Sequence, residues 1–369
     1  MKTVGLICEY NPFHLGHLHQ LQAIREKLGA DTRIVCLMSG NFVQRGEPAV
    51  FDKSTRAAAA ARCGADLVLE LPPVGALSSA EGFARCGVKT LADLGICDCL
   101  AFGSETGGRD PIAAAEAMAD FRAEELLRAG LAEGLTYGAA KQRALAKLTG
   151  IADILSRPND ILAAEYCRFL RQTDISPLPI LRQGDDRSRT LSGIGTSAGA
   201  IRTRLFRGDD WLSMIPRPAQ SLFAGAAPHS LAAGEKAVLA RLYGMTDSDW
   251  QAAAHNGEGL HNKIIRAAAE GCSLSEIAAA AKSRRYPATR ISRLILCAAL
   301  GITGRELQSE PPYLRILAFG KNGRELVRKA KKHGSLPLLN PTEKAPDCAF
   351  SALEARVELY YHLFEHKIK

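Results

Sequence analysis

Gly5-Leu6-Ile7-Cys8-Glu9-Tyr10-Asn11-Pro12-Phe13-His14-Leu15-Gly16-His17 is the stretch whose reading decides the fold. Residues 4–7 form an apolar run close to the first residue. Asn11-Pro12 then turns the chain, because proline fixes its own φ and pushes the preceding residue away from helix. From Leu15 onward, Leu18, Leu21 and Ile24 recur at helical spacing. The stretch therefore reads as strand, tight loop, helix. His14 and His17 stand three apart at the helix start with Gly16 between them. A helix N-terminus carries unpaired N–H groups and a partial positive charge, and glycine lets a ligand approach the backbone. Two imidazoles on that first turn can donate to phosphate oxygens and stabilise developing negative charge. An isolated H-x-x-H also fits an ordinary partly exposed pair, so the motif needs its surroundings.

Those surroundings repeat the pattern. Residues 33–38 read as a second strand, ending at Ser39-Gly40-Asn41-Phe42 and a polar loop through Pro48. Residues 52–63 are Ala-rich and helical, with Asp52 as a candidate N-cap and Lys53 and Arg56 near its start. Residues 65–71 form a third strand, 78–94 a helix and 99–102 a fourth strand followed by Gly103-Ser104-Glu105. This order predicts an α/β fold with a doubly wound parallel sheet. Ligands in such sheets bind at the carboxyl ends of the strands. The loops at 8–17, 39–48 and 103–105 all follow strands and should face one crevice.

Residues 111–149 read as a helical insert without obvious chemistry. Arg157-Pro158-Asn159-Asp160 opens another helix, with Asn159 and Asp160 as capping residues or site residues. Residues 178–181 are a fifth strand, placing Arg182 at its carboxyl end to meet an anion. In Gly193-Ile194-Gly195-Thr196-Ser197-Ala198-Gly199-Ala200-Ile201-Arg202, small and hydroxyl residues open a helix. Ser197, Arg202 and the helix N–H groups can clamp a polyphosphate, although a capped helix with a surface arginine also fits.

Composition narrows the function. The chain has 369 residues, enough for two domains, with 47% apolar and 23% charged residues. No apolar run is long enough to span a bilayer, and the first residues lack a leader pattern. Ten cysteines without zinc-like spacing fit reduced thiols in the cytoplasm, and no metal ligand set is assigned. The net charge is +8; residues 282–332 hold 13 Lys and Arg against 3 Glu, or +10, leaving −2 for the rest. Such an excess points to a polyanion, nucleic acid first. Residues 216–228 read as a connection, and the pattern beyond is helical to the end, interrupted at Glu258-Gly259. A boundary near 220 divides a nucleotide-handling domain, 1–220 with an insert at 110–150, from a basic helical domain, 221–369. Lys282, Arg284, Arg285, Arg290 and Arg293 suit a sugar-phosphate backbone, and Tyr286 among them suits an unstacked base. A second basic run lies at Lys321, Arg324, Arg328, Lys329, Lys331 and Lys332.

His14-Leu15-Gly16-His17 after a first strand resembles the H-x-G-H signature of adenylyl-transferring α/β enzymes. Residues 193–202 resemble the I-S-S-T-x-I-R motif of the same nucleotidylyltransferases, except that Gly199 replaces a hydroxyl residue. With residues 39–48, Phe102-Gly103-Ser104-Glu105, Arg157-Pro158-Asn159-Asp160-Ile161-Leu162 and the basic segment 284–293, the full chain resembles the bacterial tRNA(Met) cytidine acetate ligases. The resemblance implies a Rossmann-like domain and a mainly α-helical tRNA-binding domain. It implies ATP and acetate as substrates, with Mg²⁺ accompanying the nucleotide, and N4-acetylation of the wobble cytidine of elongator tRNA(Met) through acetyl-adenylate. It implies an ATP site from Ile7, Cys8, Glu9, Tyr10, Asn11, Pro12, Phe13, His14, Leu15, Gly16, His17, Leu18, His19 and Gln20, with Gly103, Asn159 and Arg182. No membrane or protein partner is expected. Two other readings stay open: a non-catalytic nucleotide-dependent RNA-binding protein, and a small-molecule nucleotidylyltransferase.

Overall fold

Short apolar runs without a polar face become strands covered on both sides, and here they build one central sheet. The computed structural model describes residues 1–151, 153, 157–181, 197–270 and 273–366. The chain begins β1 (Thr3–Cys8), α1 (Leu15–Leu28), β2 (Arg33–Ser39), β3 (Phe42–Val43), β4 (Glu47–Pro48), α2 (Lys53–Arg62) and β5 (Leu67–Leu71). Next come α3 (Pro73–Ala76), α4 (Ala80–Asp93), β6 (Cys99–Ser104) and the insert helices α5 (Arg109–Met118), α6 (Phe121–Ala132) and α7 (Tyr137–Thr149). Then follow α8 (Pro158–Leu170), β7 (Ser176–Leu181), α9 (Ala198–Arg207), α10 (Arg217–Ala224), α11 (Leu231–Tyr243) and α12 (Asp247–Ala252). The chain continues with α13 (Leu260–Glu270), α14 (Leu274–Ala281), α15 (Ala288–Leu300), β8 (Leu314–Phe319), α16 (Gly323–His333), β9 (Leu338–Leu339) and α17 (Ala349–Tyr361).

The sheet order is β7-β6-β1-β2-β5-β8-β9. The first five are parallel, whereas β8 runs antiparallel to β5. The chain winds outward from β1 through β2 to β5, then crosses to the other side of β1 for β6 and β7. The reversal lies between β1 and β6, so the crevice of a doubly wound sheet should open at the carboxyl ends of these two strands. The predicted α/β class, the five strands and the helical insert are all present.

The second half is not helical throughout. β8, α16 and β9 return to the first sheet, where Leu67 pairs with Phe319 and Val68 with Ala318. Leu314 and Ile316 are buried in the same core cluster as Leu67 and Leu69. Phe42, Val74 and Leu77 from the first half pack conversely into the helical core around Leu294 and Tyr361. A clean division at residue 220 therefore fails. β5 would otherwise expose a free edge of backbone donors and acceptors, and β8 covers it.

Candidate active site

The strand–loop–helix read from the first residues has a specific internal geometry. His14 is the N-cap of α1, and its Nδ1 accepts the Gly16 N–H at 3.0 Å. His17 occupies the third helical position, and its Nδ1 accepts the His14 N–H at 3.3 Å. This is a capping box built from two histidines. Because each Nδ1 accepts, the neutral rings carry their proton on Nε2. Each Nε2–H can then donate a hydrogen bond without the ring needing a positive charge. The imidazole centroids lie 3.8 Å apart with the rings tilted by 33°, and Tyr10 and Phe13 pack on His17 at 4.8 and 5.6 Å. These contacts fix both ring planes.

The loop before them is tightly held. The Asn11–Pro12 peptide is cis, and Tyr10 has φ 46°. A buried bulky residue in the left-handed region marks a strained turn. Asn11 Oδ1 accepts from Val50 N at 2.7 Å, and its carbonyl accepts from Arg202 Nη1 at 2.8 Å. Arg56 lies beneath the loops with no measurable exposure. Its guanidinium donates to the carbonyls of Glu9, Ser39, Gly40 and Phe51, tying the ends of β1 and β2 to the start of α2. Desolvation lowers its pKa, and these carbonyl dipoles replace the missing carboxylate partner.

The loops enclose a cleft of about 390 Å³ at the carboxyl ends of β1 and β6. Ile7, Cys8, Glu9, Tyr10, Asn11, His14, His17 and Gln20 line it from β1 and α1. Gly103 and Asn159 line it from the β6 side, and Ser197, Gly199 and Arg202 from α9. Ser197 is the N-cap of α9, its hydroxyl accepting from Ala200 N at 3.2 Å, so the helix N-terminus opens towards the cleft. Arg202 also approaches Glu47 at 3.8 Å. Glu9 Oε1 accepts from Gln44 N at 2.7 Å. Burial raises the Glu9 pKa despite that bond and the nearby Arg202, Arg56 and Arg45.

Some expected residues serve the frame instead. Phe13 is wholly buried, Leu18 packs on the same core, and the Gly16 N–H is committed to His14. Pro12, Leu15 and His19 do not line the cleft either. Arg182 and residues 193–196 lie outside the described residues. Asn159 and Asp160 fall inside the first turn of α8, whose N-cap is Arg157, so the capping expectation is corrected. Asp160, fully buried, instead accepts from Ser104 Oγ at 2.7 Å and Glu105 N at 3.0 Å, fastening the loop after β6. Asn159 donates to Glu105 Oε1 at 2.8 Å.

Sequence reading passed over Arg45, Phe83, Leu162 and Tyr166, which also line the cleft. Arg45 sits in a loop already assigned to the crevice, so its charge was a usable signal. The three apolar residues are ordinary helix-face residues until packing aims them.

The basic segment meets this cleft at one point. Gly46 has φ 76°, and a Cβ there would lie 2.5 Å from the Arg293 backbone nitrogen. Arg293 Nη1 donates to Gln44 O at 3.2 Å, joining α15 to the cleft loop. Lys282 and Arg284 are exposed. Arg285 pairs with Glu258 at 2.9 Å, and Arg290 approaches the same carboxylate at 3.8 Å. Tyr286 is 4% exposed, donates to Glu258 O at 2.6 Å and carries Lys263 and Arg290 over its ring. The expectation that Tyr286 stacks on an RNA base is therefore corrected: the core claims its ring. His255 lies below these arginines, with Nε2–H donating to Leu77 O at 2.7 Å. Burial, Arg293 and Arg290 pull its pKa down to about 4.

Among the described residues no helix is long and apolar enough to cross a membrane. The HIGH Nucleotidyl Transferase family model matches residues 1–369. A tRNA(Met) cytidine acetate ligase of Acetivibrio thermocellus is 37% identical, over 92% of this chain and 88% of that protein. One from Clostridium perfringens is 33% identical, over 100% and 97% respectively. Among solved structures, apo Thermotoga maritima TmcAL has TM-score 0.89 at 28% identity, covering 99% of this chain and 96% of that one. The same protein bound with alpha-thio ATP has TM-score 0.87 at 28% identity, covering 100% and 96%. The chain belongs to the tRNA(Met) cytidine acetate ligase family of HIGH nucleotidyl transferases.

Proposed function

We propose that this chain is an ATP-dependent tRNA(Met) cytidine acetate ligase, forming N4-acetylcytidine at the wobble position of elongator tRNA(Met). The observation that carries the reading is the join between cleft and basic segment, where Arg293 donates to Gln44 O and Gly46 packs against the Arg293 backbone. A small-molecule nucleotidylyltransferase has no need of it. The names of the relatives and the ATP analogue in the neighbouring structure support the substrates.

In the first step an acetate oxygen attacks the α-phosphorus of ATP, and pyrophosphate leaves with the electrons of the broken P–O bond. His14 and His17 donate through Nε2–H to phosphate oxygens, while Arg202 and the α9 N-terminus hold the remaining charge. In the second step the cytosine N4 amine attacks the acetyl carbonyl, and AMP leaves as the phosphate anion. The amine must lose a proton, and Glu9 accepts it; its raised pKa suits a base better than an ordinary surface carboxylate. Because Gln44 N–H holds Glu9 and Gln44 O is held by Arg293, RNA bound on α15 is coupled to the base.

No group of three or more His, Cys, Asp or Glu is gathered for a metal among the described residues. Glu9 and Glu47 are the carboxylates lining the cleft that would hold a Mg²⁺ accompanying the nucleotide, where the ion would offset the triphosphate charge. The reaction proceeds in the cytoplasm. Incubation with labelled acetate, ATP and bulk tRNA tests the proposal: label belongs in one nucleoside of tRNA(Met), and its absence from RNA sinks it.

A further inference from the structure

The basic run at residues 321–332 does not extend the surface around Arg284. It forms α16 at the opposite, amino-terminal edge of the sheet. Gly320 N donates to Asp66 O at 2.8 Å, just before β5, and Asn322 Nδ2 to Asp66 Oδ1 at 2.7 Å. At the far end Ser335 N donates to Asp93 O at 2.8 Å, just before the turn into β6. The helix thus crosses the sheet's amino edge, while the cleft opens at the carboxyl edge. Strands of five to seven residues separate the two, which is about 20 Å at ~3.3 Å per residue.

Most of the exposed charge on α16 has no ion pair among the described residues. Lys2, Arg33 and Lys89 at the same end each face a carboxylate, Asp98, Glu325 and Asp93 respectively. Within α16 only Lys329 is so paired, to Glu325 at 2.7 Å. Lys321, Arg324, Arg328, Lys331 and Lys332 are exposed and form no ion pair among the described residues. Arg324, Arg328, Lys331 and Lys332 recur at three- to four-residue spacing, so they form a stripe along one helix face. Leu326 and Ala330 bury the other face. By contrast, Glu258 already answers Arg285 and Arg290 near the cleft.

We propose that the α16 stripe is a second RNA-binding surface, holding the sugar-phosphate backbone of the tRNA body away from the reacting base. It rests on the reading that the acetyl acceptor is a folded tRNA. A base held in the cleft leaves the rest of that RNA free to run along the molecule; because ~20 Å is the separation through the sheet, the path around its outside is longer and brings the stripe to the RNA backbone beyond a short stem-loop. The stripe reads charge and shape rather than sequence. It lowers KM for tRNA and leaves the chemistry at saturation untouched.

The test compares wild type with R324Q/R328Q/K331Q/K332Q, acetylating full-length tRNA(Met) or a short anticodon stem-loop. Thermal melting checks that the variant is folded, since all four side chains are exposed. KM for full-length tRNA should rise at least about tenfold, with kcat unchanged. Its log–log salt dependence should become shallower by about 3 to 4, one unit per lost phosphate contact. KM for the stem-loop should not move. An unchanged KM for full-length tRNA, or an equal rise for the stem-loop, overturns the distal surface. Wild-type protein that acetylates neither RNA overturns the ligase reading itself, a separate failure.

Discussion

His255 makes the junction between the cleft loops and the basic segment sensitive to acid. Its ring is half-buried, donates to Leu77 O and lies near Arg290 and Arg293. The pKa falls from an ordinary 6.5 to about 4, through burial first and then the two arginines. Below pH 6.5 the unfolded chain binds a proton there that the folded chain refuses. Stability contributed by the neutral ring is therefore full above 6.5 and is lost progressively as pH falls towards 4. At about 1.4 kcal/mol per pH unit, the total loss is about 3 kcal/mol. His255→Gln keeps an N–H donor for Leu77 O and removes the titration. Urea unfolding of both proteins between pH 7.5 and 4 isolates the effect, because every other carboxylate and histidine is common to both. The wild type should lose about 3 kcal/mol more than the variant over this range. Parallel curves would refute the reasoning, since they would mean that the ring is not held neutral by burial and arginines.

Three further outcomes concern the chemistry. His14→Ala or His17→Ala should abolish acetate-driven ATP–pyrophosphate exchange and cost about 1 kcal/mol of stability through the lost cap; near-normal exchange would remove their phosphate role. Glu9→Gln should depress acetyl transfer to RNA by ~10²–10⁴, well beyond its effect on exchange. The acid limb of the wild-type transfer rate should fall above the ordinary glutamate range, because burial raises the Glu9 pKa. Gly46→Ala forces φ 76° on a residue with a Cβ placed against the Arg293 backbone. A loss of at least about 1–2 kcal/mol and a greater defect in transfer than in exchange should follow; a neutral result in both assays would mean that the loop moves freely on α15.

Much of the site was legible because its signals are local. A strand, an Asn-Pro turn and histidines three apart specify their own geometry, and parallel topology sends every loop after a strand to one edge. The reading went wrong where a residue's meaning depends on a distant partner. Tyr286 lies in a basic run, yet the core takes its ring and Glu258, 28 positions away, takes its hydroxyl. Arg56 has no motif of its own; four carbonyls from three segments, at Glu9, Ser39-Gly40 and Phe51, define its task. The short run 314–319 lies among helices, and only the open edge of β5 makes it a strand.

The sequence by itself determined the strand–turn–helix that carries His14 and His17, the parallel α/β alternation around it and the existence of a basic second half. Hydrophobic period, turn chemistry and helix-start residues act within a few positions, so they survive without knowledge of the fold. Tertiary structure alone decided which cations stay free. A charge is neutralised or exposed by what packs within a few ångströms, and in this chain the deciding carboxylate is often far away in sequence. Arg285 meets Glu258 across 27 positions, whereas Arg324, Arg328, Lys331 and Lys332 on α16 form no ion pair among the described residues.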